Sequence, residues 1–510
     1  MKTSSGGRAR IAKDAGLYLA GSYGAQFFDI INGILIRRFL GPENMGIWAF
    51  LQVILNYAKH SALGVTAATS RDVPYYRRKG ENDKAERVKN MVFSFTVVTA
   101  TLAGLGVIVY ALMNRDKYDT PFFFGLVVIG ILIVLQRLFN LHIVLLRALK
   151  EFAFASTANV CSSVLTVLFT VSLVWRFGLY GLFAGLILNY ILMIAGISIK
   201  SGIRFRFIFR FGELSPIFSL GFAMLVYGVL TTILMSVDRI MITKYMGFEA
   251  LGIYSIALMA GNYLFSLPTM LAVAFSPYLQ EAYAERDVAK DLEKFLVVPT
   301  LVIGYLFPCL IALVWVVSDW LIPLLLPAYV AGIPALKCLI LSSFFRGLLH
   351  PFLSFFVTVR KHWHLCPIQG FLALLCFGLT WAFMKSGMGL LGVALASVIT
   401  YGLGFGLISA YCYRRIQSLK KALGIYIRIF GVFVYFSGAL YLMDSYAQTF
   451  PPTILRFSLQ FAVFMVLMLP WIFLAERETK ALTTLRAVVK SWLEKRANRG
   501  NPSVPNEESQ

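Results

Sequence analysis

The sequence predicts an all-α polytopic membrane protein with about fourteen transmembrane helices, and two observations support this. Of the 510 residues, 58% are hydrophobic and only 14% are charged, whereas soluble domains carry about 25% charged residues. Apolar runs of about 20 residues, the length needed to cross a bilayer as a helix, also recur along nearly the whole chain. The longest segments without such a run, 71–90 and 476–510, are too short for a catalytic domain.

Hydropathy gives the order of the expected spans, and each span is long enough to cross the hydrocarbon core. Their approximate limits are 14–40, 45–69, 91–113, 122–146, 155–175, 181–199, 212–246, 250–275, 295–317, 332–358, 365–384, 389–411, 424–443 and 453–475. The six cysteines show neither a CxxC pair nor a His/Cys ligand spacing. We therefore expect neither a metal site nor a disulfide framework.

The positive charges divide the connecting loops into two sets. A net charge of +22 in a soluble protein would suggest binding to nucleic acid. Here, however, 34 of the 47 Lys and Arg residues lie on one side of the predicted membrane and nine on the other, Arg37 and Arg239 among the nine. The positive-inside rule then places both termini in the cytoplasm. The charge is a topology signal, and no nucleic-acid partner is expected.

An internal repeat divides most of the chain. A shift of 206 positions aligns ILIRRFLGPENMGIW (34–48) with IMITKYMGFEALGIY (240–254). The shift pairs Gly41 with Gly247, Glu43 with Glu249, Gly46 with Gly252 and Asn56 with Asn262. Because each half contains six helices, an even number, the halves form a parallel repeat with the substrate path expected between them. The expected units are an N-terminal half (1–211), a C-terminal half (212–423), an extra helix pair (424–475) and a basic cytoplasmic tail (476–510).

These features resemble the polysaccharide flippases of the multidrug/oligosaccharidyl-lipid/polysaccharide exporter superfamily. The resemblance rests on the two six-helix bundles, the RRFLGPENMGIW turn after the first helix and the basic loop after the second, and it covers roughly residues 10 to 475. The likeness is greatest to O-antigen and exopolysaccharide repeat-unit translocases. It implies that the protein, in a bacterial inner membrane, moves an undecaprenyl-diphosphate-linked oligosaccharide from the inner to the outer leaflet for lipopolysaccharide or other surface polysaccharide.

The partners implied by the resemblance are the lipid-linked oligosaccharide and membrane lipids, with a polysaccharide polymerase and glycosyltransferases as candidate protein partners. Two other transport functions stay open: a cation-coupled multidrug exporter of the same superfamily and a flippase for a lipid-linked peptidoglycan precursor. A membrane-bound glycosyltransferase would need paired acids or a DxD-type metal site. Because Asp116 and Asp119 form the only close pair of acids on the outer side, we expect no enzyme and no catalytic residues.

Two intramembrane arginines are the first candidates for substrate binding. Arg137 and Arg346 lie in the fourth helix of each half, 209 positions apart, and Asn140 and His350 extend their polar faces. Charged groups inside a membrane usually face a water-filled cavity or a partner. Guanidinium groups bind phosphate oxygens bidentately, so both arginines could hold a diphosphate. Alternatively, each pairs with a carboxylate or with carbonyls of a neighbouring helix.

Helix two adds Lys59, which shares one helical face with Asn56 and His60. The second repeat retains only the asparagine, and such asymmetry suits an asymmetric ligand. Lys59 is therefore a further candidate for substrate binding. The alternative is that Lys59 extends to the interface and that the asparagines connect helices.

Intramembrane acids are few, and Asp29 in helix one is the candidate for ion coupling. The sequence has no GxxxxGK[ST] loop, so uphill transport would have to use a sodium or proton gradient, and no other cofactor is expected. Asn159 and Asn189, on helices five and six, could complete an oxygen-rich cation site. A structural salt bridge explains Asp29 as well, and we interpret Asp238 as structural. The tail 480–496 is expected to lie on the anionic inner leaflet as an amphipathic helix.

Overall fold

The computed structural model shows helical structure throughout the regular elements of its described part. That part comprises residues 5–209, 211–286, 293–359, 362–416, 419–447 and 454–479. The predicted amphipathic tail, 480–496, lies outside it. An all-helical chain is expected in lipid because each helix satisfies its own backbone hydrogen bonds.

Twelve α-helices occupy the described residues. They are α1 (Ser5–Ala58), α2 (Thr66–Arg78), α3 (Asn82–Met113), α4 (Thr120–Ala148), α5 (Phe152–Ser201), α6 (Phe211–Arg286), α7 (Glu293–Leu325), α8 (Ile333–Thr358), α9 (Leu365–Lys385), α10 (Gly389–Ile416), α11 (Leu419–Ala447) and α12 (Ile454–Thr479). Within the described residues, ten helices are long and apolar enough to cross a membrane. The chain is therefore suited to repeated passage through a bilayer.

Three of these helices are interrupted by a glycine with positive φ. Gly41 in α1 has φ 71° and ψ 172°, and Gly247 in α6 has φ 84° and ψ −178°. Glycine adopts such angles without the steric penalty of a Cβ. The glycines that the shift of 206 pairs therefore share one backbone conformation. Their turns lie at the end of the bundle that the charge bias predicts to face outward, which we call the outer end.

The third interruption makes α5 a helical hairpin around Gly178, which has φ 56° and ψ −133°. A Cβ on Gly181 would lie 2.0 Å from the carbonyl oxygen of Leu173. In a straight helix these two residues would be about 12 Å apart along the axis. The chain therefore reverses at Gly178, and small residues let the two arms touch.

The predicted second span, 45–69, is shorter in the structure. Helix α1 ends at Ala58, a 3-10 turn covers Lys59–Ala62, and Leu63 is left-handed with φ 47°. Because neither proline nor hydropathy marks this break, the end of the helix at Ala58 was not predicted from the sequence. The basic region that follows, expected as a loop over 71–90, is largely helical because α2 runs to Arg78 and α3 begins at Asn82.

Helices α1 and α6 pack against each other. Helix α1 also packs on α5, and α6 packs on α8 and α9. The last helices, α11 and α12, pack on α7. Lys337 of α8 binds Asp319 of α7 at 2.7 Å and Asp444 of α11 at 2.8 Å, which fixes the extra helix pair to the second half.

Candidate functional site

The outer turns of α1 and α6 rest on each other in a reciprocal way. A Cβ on Gly46 would lie 1.7 Å from the carbonyl oxygen of Phe248, and a Cβ on Gly252 would lie 1.7 Å from that of Pro42. The shift of 206 exchanges these two contacts. Glycine is required at both positions because backbone meets backbone.

A second reciprocal pair of contacts lies deeper, roughly 20–30 Å from the outer turns at 1.5 Å per helical residue. The amide of Gln26 donates to the hydroxyl of Ser266 at 2.7 Å. Its counterparts, Thr232 and His60, form a hydrogen bond of 2.8 Å. Each bond joins α1, or the turn that follows it, to α6. His60 is thus explained by a bond between the halves.

Arg37, which the charge count placed on the outer side at the end of the first predicted span, belongs to the same interface and is buried. Its side chain is 7% exposed and donates to the hydroxyl and carbonyl oxygens of Ser255, each at 3.0 Å. A third donation goes to the carbonyl of Gly33 at 2.8 Å. The Tyr329 hydroxyl donates to the carbonyl of Arg37 at 3.1 Å. Arg37 therefore acts as a clamp between α1 and α6.

Arg239 was also counted with the outer-side charges, and the structure places it within α6. It lies on α6, eight residues before Gly247, and so about 12 Å below the outer turn. Together with Asp29, Arg37, Gln52 and Asn262 it lines a pocket of about 360 Å³ between α1 and α6. Hydropathy does not define the depth of a single charge near the end of a span. The eight-residue distance from Arg239 to the paired glycine turn could have placed Arg239 within the helix.

Lys59, Arg137 and Arg239 form a group of positive charges that we call the cationic cluster. Lys59 lies within electrostatic range of both arginines, and His60 lies within range of Lys59 and Arg137. Among the described residues, no carboxylate oxygen is within 4 Å of a charged side-chain nitrogen of any of the three. Asp238, however, accepts a hydrogen bond from the backbone N–H of Arg239 at 2.7 Å and lies within electrostatic range of its charge. Asp238 therefore offsets part of the charge of Arg239, whereas Lys59 and Arg137 repel each other without a carboxylate this close.

One nitrogen of Arg137 is already engaged. Its Nη2 donates to the carbonyl of Ala58 at 3.0 Å, which satisfies an orphan carbonyl at the end of α1. This bond matches the alternative that Arg137 pairs with a carbonyl of a neighbouring helix, but it uses only one nitrogen of the guanidinium group. Lys59 donates to Asn56 at 2.5 Å. Asn140 is exposed, and no hydrogen bond joins it to Arg137.

Arg346, the counterpart of Arg137, has a different environment. It is 8% exposed, and its guanidinium lies 4.0 Å from the ring centre of Phe265 and 5.2 Å from that of Tyr401. Its Nη2 has no hydrogen-bond partner among the described residues. The charge is thus held by aromatic faces near the buried Asp238. The structure does not bring Arg346 and Arg137 into contact.

His350 follows Arg346 by one helical turn and packs on the same ring. Its imidazole centre lies 4.9 Å from that of Phe265, and its Nε2 forms a 2.8 Å hydrogen bond with Thr269. Both partners belong to α6. His350 therefore joins α8 to α6.

Asp29 lines the pocket of Arg37 and Arg239, and the Ser163 hydroxyl lies within hydrogen-bonding reach of its carboxylate. Asn189 donates to Ser162 at 3.2 Å, while its Oδ1 is buried and has no partner among the described residues. Asn159, half-buried, lies one turn before these serines. The structure thus links Asp29 to Ser163 and Asn189 to Ser162, on the two arms of α5, and the three residues stay a prediction as a coupling site.

Comparison with known proteins connects this architecture to transport. A candidate O-antigen transporter of Shigella flexneri is 21% identical over 410 residues, which cover 76% of this chain and 93% of that protein.

Solved structures show the same fold at lower identity. A lipid II flippase, MurJ, in an inward closed conformation superposes with a TM-score of 0.67 at 15% identity, covering 91% of this chain and 99% of that one. An inward-facing multidrug resistance transporter of the MATE family gives 0.66 at 16% identity, covering 80% and 99%. Both likenesses concern the fold alone.

The sequence profile of one family, described as polysaccharide biosynthesis protein, matches residues 35–329. The match spans more than half of the chain and includes Lys59, Arg137 and Arg239. The chain therefore belongs to the polysaccharide biosynthesis protein family, and ten of its described helices are long and apolar enough to cross a membrane.

Proposed function

We propose that this protein is a flippase that moves an undecaprenyl-diphosphate-linked oligosaccharide from the inner to the outer leaflet of a bacterial inner membrane. The observation that carries this proposal is the cationic cluster of Lys59, Arg137 and Arg239. Among the described residues, no carboxylate oxygen lies within 4 Å of the charged nitrogens of Lys59 and Arg137, while Asp238 lies beside Arg239. Each charge inside a membrane costs at least about 2.5–3.5 kcal/mol. An anionic ligand is the simplest compensation.

The positions of the cluster suit a path rather than a single binding point. Arg239 lies about 12 Å below the outer turn, whereas Lys59 and Arg137 lie about 25 Å below it. A diphosphate could exchange partners along this distance as the halves move. The pocket of about 360 Å³ lies at the lower end of the range of small-ligand pockets, about 300–1,000 Å³. A whole oligosaccharide therefore requires the halves to separate.

The same proposal includes the membrane topology. Counting α1, α5 and α6 as two crossings each, with α3, α4 and α7 to α12 as one each, gives fourteen. Helices one to six (1–211) and seven to twelve (212–423) would form parallel halves, and 424–475 an added pair. Both termini would face the cytoplasm, as the charge bias predicts. A polymerase and glycosyltransferases remain proposed partners.

We assign ion coupling to Asp29 as part of this proposal. The Ser163 hydroxyl supplies an oxygen next to the carboxylate, and Asn189, which bonds the neighbouring Ser162, has an unpartnered Oδ1. A sodium ion or proton bound there would favour one arrangement of the halves by its differential affinity. Asp29→Asn should then bind cargo but lose gradient-dependent transport in vesicles. An unchanged response to the gradient would remove Asp29 from this role.

The experiment that tests the function measures translocation of a lipid-linked oligosaccharide in proteoliposomes containing the purified protein. Lys59→Gln, Arg137→Gln and Arg239→Gln should each reduce translocation, and Arg38→Gln, an exposed neighbour of the interface, should not. Transport of cationic drugs with no activity on lipid-linked sugars would replace the proposal with a multidrug exporter. Preference for lipid-linked peptidoglycan precursor would change the substrate while retaining the diphosphate.

A further inference from the structure

A second polar cavity lies at the other end of the first half. It has a volume of about 940 Å³ and is bounded by the ends of α2 to α5 and by residues 202–209, which we call the connecting segment. The connecting segment leads from α5 towards α6 and is not helical. This cavity is separate from the pocket between α1 and α6, since no residue lines both.

The connecting segment is fixed to α3 through its backbone. The amide N–H of Arg206 donates to Asn90 at 3.1 Å, and that of Ile208 donates to Ser94 at 2.8 Å. Asn90 and Ser94 are buried, one helical turn apart on one face of α3. These bonds satisfy backbone donors that no helix satisfies. The segment is thus positioned before any ligand arrives.

Side chains strengthen this attachment. Phe205 stacks on Phe93 with ring centres 4.4 Å apart, and Lys89 donates to the carbonyl of Arg204 at 2.9 Å. On either side of Phe205, Arg204 and Arg206 line the cavity. Two guanidinium groups are therefore presented from a fixed backbone.

The cavity has an excess of positive charge. Its five basic residues are Arg77, Lys89, Lys200, Arg204 and Arg206, and its three acidic residues are Asp83, Glu86 and Glu151. Glu86 is already paired with Lys89. No carboxylate among the described residues is within 4 Å of Lys200, Arg204 or Arg206. Three bases are left for an added anion.

The cavity also has an apolar wall, formed by Leu145, Leu146, Leu149, Phe154 and Ile203. Lys200 extends over the ring of Phe154 at 5.3 Å. A ligand that carries a phosphate next to a hydrocarbon chain would match both walls. Basic pockets between helices on the cytoplasmic side bind such lipid head groups.

We propose that this cavity binds the phosphate head group of an anionic phospholipid of the inner leaflet, through Arg204, Arg206 and Lys200. The bound lipid would join the end of α5 to α3 and hold the connecting segment between the halves. This inference goes beyond the transport function and uses only its proposed membrane orientation. Guanidinium forks give a phosphate diester two parallel hydrogen bonds each.

The test measures thermal unfolding of the purified full-length protein in detergent with phosphatidylglycerol or phosphatidylcholine. Phosphatidylglycerol should raise the Tm of the wild type, and phosphatidylcholine should not. The double variant Arg204→Gln/Arg206→Gln should lose this rise, because its backbone bonds remain but its charges do not. Arg115→Gln/Lys117→Gln, which changes two exposed bases at the opposite end of α3, should retain the rise.

Lys200 is changed alone, and inorganic diphosphate and polyprenyl diphosphate are compared with phosphatidylglycerol. In a protein that keeps Arg204 and Arg206, Lys200→Gln should reduce the rise in Tm that phosphatidylglycerol produces. An equal rise in the Arg204→Gln/Arg206→Gln variant and the wild type would overturn the site. A rise produced only by inorganic diphosphate, or only by polyprenyl diphosphate, would overturn the assignment to a phospholipid.

Discussion

At the outer ends of α1 and α6, Gly46 rests on the carbonyl of Phe248 as Gly252 rests on that of Pro42. Deeper in the membrane, the shift of 206 that relates these contacts pairs Lys59 with Phe265. The repeat is thus kept in these backbone contacts and broken at the position of Lys59 and Phe265.

The broken position changes the environment of an arginine in each half. In the second half, Phe265 gives its ring face to Arg346 at 4.0 Å. In the first half, Lys59 places a like charge in range of Arg137. Arg346 is therefore held by aromatic faces, whereas Arg137 has one carbonyl partner and a neighbouring like charge. We therefore expect the first half to contribute more to anion binding.

The largest expected effect comes from breaking the reciprocal glycine–carbonyl contacts between the outer turns of the two halves. Gly46→Val or Gly252→Val would place side-chain atoms on a carbonyl oxygen, and overpacking costs about 1–3 kcal/mol even where the structure adjusts. We expect the outer turns to separate and translocation to be lost. Accessibility of a cysteine introduced at Ser255 to a membrane-impermeant reagent should rise in both variants.

A matched control uses a glycine outside that contact. Gly431 has no atom within 4 Å of its Cβ position, so Gly431→Ala should leave accessibility and translocation unchanged. Unaltered accessibility in both Gly46→Val and Gly252→Val would show that the reciprocal contact does not close the outer end.

The next largest effect is expected when a lysine is placed at Phe265, the position in the second half that corresponds to Lys59. Phe265→Lys removes the ring that faces Arg346 and puts a cation in its place, at a cost of at least about 2.5–3.5 kcal/mol. We expect reduced accumulation and a lower Tm of the purified protein. Phe265→Leu, which removes the ring without adding charge, should have a smaller effect; equal losses would mean that packing alone matters here.

The converse change should spare stability and reduce function. Lys59→Phe gives Arg137 the ring that Arg346 already has, so we expect normal accumulation. A charge-assisted hydrogen bond contributes about 1.5–3 kcal/mol, so translocation should fall roughly 10- to 100-fold. Lys59→Arg should remain active. Full activity of Lys59→Phe would contradict a functional asymmetry between the halves.

The smallest effects concern the reciprocal hydrogen bonds. His60→Ala and Ser266→Ala each remove one bond between α1 and α6, and such bonds in membranes average about 0.6 kcal/mol. Both variants should show similar, small decreases in Tm. A large loss of transport in His60→Ala alone would give His60 a role in the cargo path.

The sequence predicted the helical class and most helix positions because hydropathy is a local signal, and it paired Gly41 with Gly247, which share one backbone conformation. It predicted Lys59 and Arg137 as intramembrane charges for the same reason. It did not predict that Arg37 and Arg239 lie inside, because a charge close to a turn has the same pattern whether its side chain points outward or into the bundle. Nor did it separate Arg137 from Arg346, since their difference depends on Phe265, which contacts Arg346 only in the folded chain.

In the proposed function, the cationic cluster binds the diphosphate of the lipid-linked oligosaccharide. The most direct measurement is equilibrium binding of undecaprenyl-diphosphate-linked oligosaccharide to the purified protein in detergent, comparing wild type, Lys59→Gln/Arg137→Gln and the control Arg38→Gln. We expect at least a roughly tenfold rise in Kd for the double variant, the loss of about 1.4 kcal/mol, and no change for the control. An unchanged Kd in the double variant would contradict the claim.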